Sequence, residues 1–418
     1  MNALDTTAVD LVVAGAGPAG VAAAITAARR GVRVVCYDRA RFPRDKTCGD
    51  GVTTQALRVL QDLGVTRAAL GAAGYAPVHE CVVVSPSGRQ VRLPLPTDGE
   101  HAGVVARAGL DAELVTLARN LGVDVREGVA LDDFVVGADG VKVRVGDDTV
   151  EARFLVAADG HWSTVRRHLH PSRTRDLGTW HAARQYFDHV DDPRLWVLFA
   201  DDLLPGYAWV FPMPGGGANV GFGVLRDGRP GRDLNALWSD LLARPQLREV
   251  LGARARPRGP VRAWPIPTAY TRARLADGPV LYAGDAAAVV DPLTGEGIAQ
   301  ALETGVLAGE AVARGGDTDT VAAHYTRVVD RALGRDLRFA GRLQHILAAP
   351  MGARAAIKAA DMSDWTRRSF GRWLFEGYPR AVVLTPDRWH RRRFTAPGAF
   401  WQTPPARGPR EDQAHQPS

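Results

Sequence analysis

The sequence predicts an α/β fold, in which a parallel sheet with a β-meander is interleaved with an antiparallel sheet and followed by a helical C-terminal region. A strand pattern, a glycine-rich turn, an alanine-rich helix and a second strand pattern occupy residues 9–38. Three strand patterns with short turns between them fill residues 134–157. Strand patterns and aromatic residues dominate residues 180–270, and helical patterns continue to about residue 376.

The composition indicates a globular protein of two to three domain-sized units, since 418 residues with 46% hydrophobic content bury a sizeable core. The formal charge is +6, and lysine occurs only at Lys46, Lys142 and Lys358, so nearly all the positive charge is arginine. The three cysteines form no CxxC pair, which favours a reducing compartment and predicts a cytoplasmic protein. Glycines and a proline interrupt the first apolar stretch, which argues against a signal peptide or a membrane span.

The first motif is a G-x-G-x-x-G turn between a predicted strand and a predicted helix. Gly15 makes the turn, Gly17 lets the backbone approach a pyrophosphate, and Gly20 lets the helix pack on the sheet. The N-terminus of the helix then faces the phosphates. Asp38 ends the second strand, where a carboxylate accepts hydrogen bonds from ribose hydroxyls. This order of elements predicts a Rossmann-type dinucleotide-binding domain.

Two later segments, Asp159-Gly160 and Gly284-Asp285, each follow a predicted strand. With the glycine turn they resemble the three nucleotide fingerprints of the superfamily of FAD-dependent aromatic hydroxylases, halogenases and geranylgeranyl reductases. The resemblance implies that Asp285 binds the ribitol and that Arg107 lies near the pyrophosphate. It also implies that a helix beginning near Gly295-Glu296-Gly297-Ile298 directs N–H groups at the flavin pyrimidine, where they stabilise negative charge.

More specific segments resemble the geranylgeranyl reductase branch of this superfamily. Residues 43–51 match its P-x-x-K-x-C-G-x-G element, and residues 205–212 with 219–223 match its Y-x-W-x-F-P and V-G-x-G elements. Residues 291–297 match its N-P-x-T-G-E-G element, with Asp291 in place of asparagine; both residues suit a turn before proline. The resemblance implies reduction of alkenes in polyprenyl chains of diphosphates, archaeal-type lipids, chlorophyll side chains or menaquinone.

The resemblance implies FAD as the cofactor and NAD(P)H or another reductant as the electron donor. The predicted cofactor-binding residues are Gly15, Gly17, Ala19, Gly20, Asp38, Arg39, Lys46, Cys48, Gly49, Arg107, Asp159, Gly160, Gly284, Asp285, Gly295, Gly297 and Ile298.

The candidate catalytic residues are Cys48, Tyr207 and Trp209. Protonation of an isolated alkene builds cationic character, which a dry pocket with aromatic faces tolerates. We therefore expect Tyr207 and Trp209 to line an alkene channel and Cys48 to contact the flavin. Plain core packing of the aromatics and a space-filling thiol are the alternatives. Lys46 either fixes its loop against a carboxylate or meets a substrate anion, and no residue clearly supplies the proton.

Three other functions share part of this pattern. A flavin monooxygenase acting on an aromatic or polyketide scaffold shares all three fingerprints, although hydroxylases generally lack the K-x-C-G-x-G loop. A flavin halogenase has a W-x-W-x-I-P element, which is matched only as Tyr207-x-Trp209-x-Phe211-Pro212, and its catalytic lysine has no confident counterpart. A flavin-binding regulator without enzymatic activity is the third alternative.

The predicted domains are an FAD-binding domain at 1–75, 105–172 and 271–325, a substrate-binding β-sheet domain at 76–104 and 173–270, a helical region at 326–393 and a disordered tail at 394–418. Residues 365–401 hold four of the ten tryptophans among many arginines, which suits a peripheral contact with the inner face of the cell membrane. A solvated helix face with aromatics packed inward explains the same pattern. The sequence has no nucleic-acid recognition motif and no metal-ligand spacing, and it does not indicate the oligomeric state.

Overall fold

The computed structural model describes residues 7–137, 139–171, 180–225, 233–375, 381 and 396–401. The strands are β1 (Thr7–Ala14), β2 (Val34–Asp38), β3 (Gly51–Thr53), β4 (Ala76–Pro77), β5 (Glu80–Val84), β6 (Gln90–Pro94), β7 (Ala102–Val104), β8 (Asp124–Glu127), β9 (Asp133–Val136), β10 (Val141–Val145), β11 (Asp148–Ala157), β12 (Trp180–Asp188), β13 (Leu195–Leu198), β14 (Tyr207–Met213), β15 (Gly217–Leu225), β16 (Arg256–Ile266), β17 (Ala276–Asp277) and β18 (Val280–Tyr282).

The helices are α1 (Pro18–Ala28), α2 (Thr54–Asp62), α3 (Arg67–Ala72), α4 (Arg107–Asn120), α5 (Thr164–Leu169), α6 (Leu234–Ala243), α7 (Pro245–Leu251), α8 (Ile298–Arg314), α9 (Thr318–Val329), α10 (Arg335–Leu347), α11 (Pro350–Ala360) and α12 (Asp364–Phe375). Short 3-10 turns lie at Tyr270–Arg272 and Gly284–Ala287, and a π-helical turn at Asp330–Gly334 joins α9 to α10.

The first sheet has the strand order β17-β18-β11-β1-β2-β8, with β10 and β9 added antiparallel beside β11. Its central strands β18, β11, β1, β2 and β8 pair in parallel. This arrangement confirms the predicted Rossmann-type sheet with a β-meander. The helix after the glycine turn begins at Pro18, because proline lacks an N–H and fits the first helical position.

The second sheet has the strand order β16-β12-β15-β14-β13-β5-β6. Most of its pairs are antiparallel, as predicted, but β13 and β5 are parallel. The remaining strands β4 and β7, from the predicted segment 76–104, instead form a short sheet with β3. The exact domain boundaries stay a prediction.

Helices α1 and α8 pack against each other at backbone distance. A Cβ atom added to Gly305 of α8 would lie 2.1 Å from the carbonyl oxygen of Ala19 in α1. A Cβ atom on Gly20 would lie 1.8 Å from the carbonyl oxygen of Gly15, so the turn also closes only around glycine. This packing brings the N-termini of both helices to the same edge of the first sheet.

Residues at the predicted disordered tail form part of the fold. Ala399 forms an isolated β-bridge with Glu100, and the amide of Phe400 donates to Gln61 Oε1 at 2.7 Å. The prediction of a tail from residue 394 is therefore wrong for residues 396–401, whose backbone groups find partners across the chain. Residues 402–418 lie outside the described residues, as does Trp389 of the basic tryptophan segment.

A fully buried carboxylate, that of Asp50, ties the loop before β3 to the second sheet. Its Oδ2 accepts hydrogen bonds from the Tyr186 hydroxyl at 2.6 Å and from Asn219 Nδ2 at 2.9 Å. Its Oδ1 accepts from the backbone N–H of Arg107 at 3.3 Å. Burial raises the pKa of Asp50 to about 6, while these donors favour the charged form and limit the rise.

We expect Tyr186→Phe to destabilise the protein more at pH 7 than at pH 5. At pH 7 Asp50 is mostly ionised, and a hydrogen bond to a charged group contributes about 1.5–3 kcal/mol. The folded-state pKa of Asp50 is raised above its unfolded value, so the ionised form costs stability above about pH 6 and protonation relieves that cost. Loss of the Tyr186 donor raises this pKa further and increases the relief on acidification.

The measurement is urea unfolding of wild type and variant at both pH values. Tyr325→Phe is the matched control, because the Tyr325 hydroxyl donates to the Tyr282 carbonyl, which does not titrate. Its effect should be the same at both pH values. A Tyr186→Phe effect that is equally independent of pH would contradict the assignment.

Candidate cofactor and substrate site

A cavity of about 990 Å³ runs between the two sheets and reaches the C-terminal helices. Its wall includes every predicted site residue except Gly20, which lies behind the glycine turn against Gly15. The cavity thus brings together residues from the glycine turn, the loop at 43–51, both later fingerprints and β14.

The glycine turn forms an open cradle with a cationic rim. A Cβ atom on Gly17 would meet only the guanidinium groups of Arg44 and Arg107, at 3.8 and 4.0 Å. Both arginines pair at 2.8 Å with Asp111, which is completely buried. Two arginines against one carboxylate leave net positive charge beside exposed backbone, an arrangement that fits a pyrophosphate. Arg44 was not among the predicted residues, although it stands inside the P-x-x-K element.

Asp38 has a structural task at the end of β2. Its two oxygens accept hydrogen bonds from the backbone N–H groups of Ala16 and Ala40, each at 2.8 Å. The carboxylate therefore holds the glycine turn closed. A carboxylate oxygen has a second lone pair, so the predicted bond to a ribose hydroxyl is compatible with this geometry. Arg39 lies beside it on the cavity wall.

The Asp159-Gly160 fingerprint leaves a buried acceptor at the cavity. Asp159 Oδ2 accepts from the backbone N–H of Thr164 at 2.6 Å and of Val165 at 3.3 Å, while Oδ1 is buried without a hydrogen-bond partner in the described part of the chain. Burial raises the pKa of Asp159. An unpartnered buried oxygen is costly in isolation and fits a donor on a bound cofactor.

His161 follows this fingerprint and also lines the cavity. Its Nδ1 is buried and has no hydrogen-bond partner among the residues that the structure describes. Burial lowers the pKa of His161 to about 4, so the imidazole is neutral at physiological pH. Only its place next to Asp159-Gly160 distinguishes this residue in the sequence.

The third fingerprint leads into the N-terminus of α8. Asp291 Oδ1 accepts from the N–H groups of Leu293 and Thr294 at 2.7 and 3.1 Å, so aspartate makes the turn expected of asparagine here. The cap residue Gly297 has no side chain to satisfy the first amides of α8. Glu296 Oε1 accepts from the Ala299 amide at 3.0 Å, so it is the other first-turn amides and the positive end of the helix dipole that fit the electron-rich edge of a flavin. Asp285 lies on the same wall.

The loop that carries Cys48 packs against the aromatic face of β14. A Cβ atom on Gly51 would lie 3.0 Å from the Phe211 ring. Asn219 Nδ2 donates to the Cys48 carbonyl at 2.8 Å, and Trp209 Nε1 donates to Asn219 Oδ1 at 3.0 Å. One asparagine therefore sets the spacing between the thiol-bearing loop and the tryptophan.

The Cys48 thiol is neutral in this environment. Burial and the nearby Asp50 carboxylate raise the pKa of Cys48 to about 11. The backbone N–H of Asp50 lies 3.3 Å from the sulfur. The side chain therefore presents a small apolar thiol to the cavity rather than a thiolate.

Three aromatic side chains follow the same face of β14. Tyr207 and Trp209 have ring centroids 6.1 Å apart, and Trp209 and Phe211 are 6.0 Å apart. All three line the cavity, and the Tyr207 hydroxyl donates to the carbonyl of Thr294. They are thus both packed and exposed to the cavity, so the two sequence-based interpretations are not exclusive.

Lys46 lies with its ammonium group 3.9 Å from the centre of the Trp264 ring. Burial lowers the pKa of Lys46 to about 8, and Asp285 opposes that decrease. The neighbouring Asp45 pairs with Arg184 and Arg262 of the second sheet and so fixes the loop. Trp264 was missed because its partner lies far away in the sequence.

One part of the cavity wall, formed by the C-terminal helices and the second sheet, is apolar. It contains Leu347 of α10 and the α12 side chains Phe370, Trp373 and Leu374. The side chains of Val83, Leu195, Val197 and Phe199 from the second sheet complete it. Helical periodicity predicted these helices but did not indicate which element they face.

A family model described as an FAD binding domain matches residues 8–314. A menaquinone reductase of Mycolicibacterium smegmatis is 36% identical over 364 residues, covering 82% of this chain and 86% of that protein. A digeranylgeranylglycerophospholipid reductase of Methanothrix thermoacetophila is 31% identical over 330 residues, covering 73% and 77% of the two chains.

Solved structures share the fold at lower identity. A geranylgeranyl bacteriochlorophyll reductase-like protein of Thermoplasma acidophilum has a TM-score of 0.76 at 21% identity, over 91% of this chain and 99% of that chain. The flavin-dependent brominase Bmp2 has a TM-score of 0.72 at 20% identity, over 90% and 97%. The extent of the family model and the coverage of the two reductases show that the chain belongs to the geranylgeranyl reductase family of FAD-dependent oxidoreductases.

Proposed function

We propose that the protein reduces carbon-carbon double bonds of an isoprenoid, a polyprenyl lipid, quinone or terpenoid, by hydride transfer from reduced FAD. The observation that carries this proposal is the 990 Å³ cavity, which joins a cationic nucleotide cradle to an apolar wall of aromatic side chains. The relatives named menaquinone reductase and digeranylgeranylglycerophospholipid reductase support the substrate class.

The chain's own residues exclude water from the reacting alkene. An isolated double bond is not electron-poor, so a proton must add to one carbon as hydride adds to the other. The carbon that receives the hydride then gains positive character that water would trap. The rings of Tyr207, Trp209 and Phe211 offer a dry wall whose negative faces tolerate that charge. The Tyr207 hydroxyl is turned to the carbonyl of Thr294, so the residue acts here through its ring.

We propose NAD(P)H or another reductant as the electron donor. We also propose a peripheral contact with the cytoplasmic face of a membrane where the isoprenoid resides. No helix in the described residue ranges is both long enough and apolar enough to cross a membrane.

A monooxygenase or halogenase of an aromatic or polyketide substrate is the second candidate, because the brominase shares the fold. The three activities differ in their products: a saturase adds two hydrogens, a monooxygenase adds one oxygen, and a halogenase requires halide.

We expect the reduced FAD-loaded protein, incubated anaerobically with a lipid extract, to produce isoprenoids that are heavier by two hydrogens. Mass spectrometry of the extract measures this gain. A matched incubation with oxidised protein should give none. Gain of one oxygen under air without any gain of hydrogen, or halide-dependent products, would overturn the proposed function.

We expect Tyr207→Leu to lower turnover about tenfold, because loss of a desolvated cation–π contribution of about 1–2 kcal/mol raises the barrier by that amount. Tyr207→Phe is the control, since it keeps the ring and removes only the hydrogen bond to Thr294. Single-turnover rates with equal FAD loading make the comparison. Equal rates for the two variants would show that the ring does not act on the reacting carbon.

We expect Cys48→Ala to keep its FAD and to lose less than about fivefold in turnover, a change of under ~1 kcal/mol. The reason is that a neutral thiol with a pKa of about 11 contributes to the cavity wall only by filling space. Bound FAD is measured by absorbance and turnover by product formation. A loss of a hundredfold or more at full FAD content would establish a chemical role for the thiol.

A further inference from the structure

An exposed apolar tip joins α10 to α11. Its residues, 346–351, read Ile-Leu-Ala-Ala-Pro-Met, and the side chains of Ile346 and Met351 are 63% and 79% exposed. Nearby, Met362 lies between α11 and α12 and Trp365 lies in the first turn of α12, and their side chains are 76% and 70% exposed. We call these residues, 346–351 with Met362 and Trp365, the apolar tip.

Core packing does not explain the apolar tip. Helix α11 buries Ala353, Ile357 and Ala360 on its other face, and α12 buries Gly371 and Phe375. The exposed side chains therefore remain in water after the helices have packed. Exposed apolar clusters of this kind mark interaction surfaces in folded proteins.

Basic residues surround the apolar tip. Residues 342–372 contain six arginines or lysines and two aspartates, a net charge of +4, whereas the whole chain carries +6. Arg342, Arg354, Lys358 and Arg368 are exposed among them. Arg354 and Arg367 also make ion pairs with aspartates, which leaves the surface basic overall. Exposed apolar side chains surrounded by basic residues are complementary to an anionic bilayer, whose interior is apolar and whose surface is negatively charged.

The cavity reaches this surface. Leu347 belongs to the apolar tip and also lines the cavity, next to the exposed Ile346. Phe370, Trp373 and Leu374 of α12 continue the apolar cavity wall inward. An apolar chain that leaves a bilayer at the tip would therefore meet Leu347, which is shared by the tip and the cavity wall.

We propose that the apolar tip inserts into the surface of an anionic bilayer and that isoprenoid chains enter the cavity there directly from the lipid. This inference deepens the proposed function and rests on it for the identity of the chain that enters. The proposed membrane contact lies at 346–365, earlier in the chain than most of the basic tryptophan segment at 365–401.

The test compares the full-length FAD-loaded protein with Ile346→Glu/Met351→Glu in flotation with vesicles. The matched control is Val135→Glu/Val136→Glu, which adds the same charge at two exposed valines on β9. With phosphatidylglycerol-containing vesicles, wild type and control should bind, and the tip variant should lose about tenfold or more in partitioning. Binding should weaken in pure phosphatidylcholine vesicles and at high salt.

Equal partitioning of the tip variant and the control would overturn the proposal, as would binding that does not depend on anionic lipid. A wild-type dimer in size-exclusion chromatography that the tip variant dissociates, without vesicle binding, would overturn it in favour of a protein interface. Unchanged FAD content and melting temperature show that the variants fold.

A second measurement separates this inference from the proposed function. The tip variant should reduce a short-chain isoprenoid dispersed in detergent at the wild-type rate. In vesicles it should reduce a long-chain isoprenoid with the same head group about tenfold more slowly than wild type does. Equal rates in vesicles would overturn the entry route. If neither wild type nor the tip variant reduces either isoprenoid, the proposed function is wrong, and flotation still tests the membrane contact separately.

Discussion

The buried carboxylate of Asp50 is the contact on which the geometry of the site depends. A completely buried charge is costly unless donors surround it, and here the donors come from three separate elements: α4, β12 and β15. One of them, Asn219, also holds the Cys48 carbonyl and the indole N–H of Trp209. The need to satisfy one carboxylate thereby sets the distance between the cofactor wall and the aromatic wall.

The charge along the cavity changes with position. At the glycine turn, the two positive charges of Arg44 and Arg107 outweigh the single negative charge of Asp111. Lys46 remains cationic on the face of Trp264. His161 stays neutral because burial lowers its pKa to about 4. Toward α12 the lining is hydrocarbon and aromatic. The lining of the cavity thus suits phosphates in one part and an apolar chain in the other.

The C-terminal helices have two faces with different tasks. Their inner faces supply cavity wall and core, as at Phe370 and Ile357, and their outer face presents the basic surround with the apolar tip. Because the same short helices form the cavity wall and the exposed surface, the path from surface to cavity is short. This arrangement suits the proposed isoprenoid substrate.

The sequence by itself determined the first sheet, the β-meander, the glycine turn and the three fingerprints, because strand periodicity, glycine geometry and helix starts are local properties of the chain. Tertiary structure alone decided which residues meet. Asp50 and Tyr186 are 136 positions apart, and Lys46 and Trp264 are 218 positions apart (264 − 46). Periodicity shows that a helix such as α12 has an apolar face but not what that face contacts. Those partners depend on long-range packing, which the local pattern does not encode.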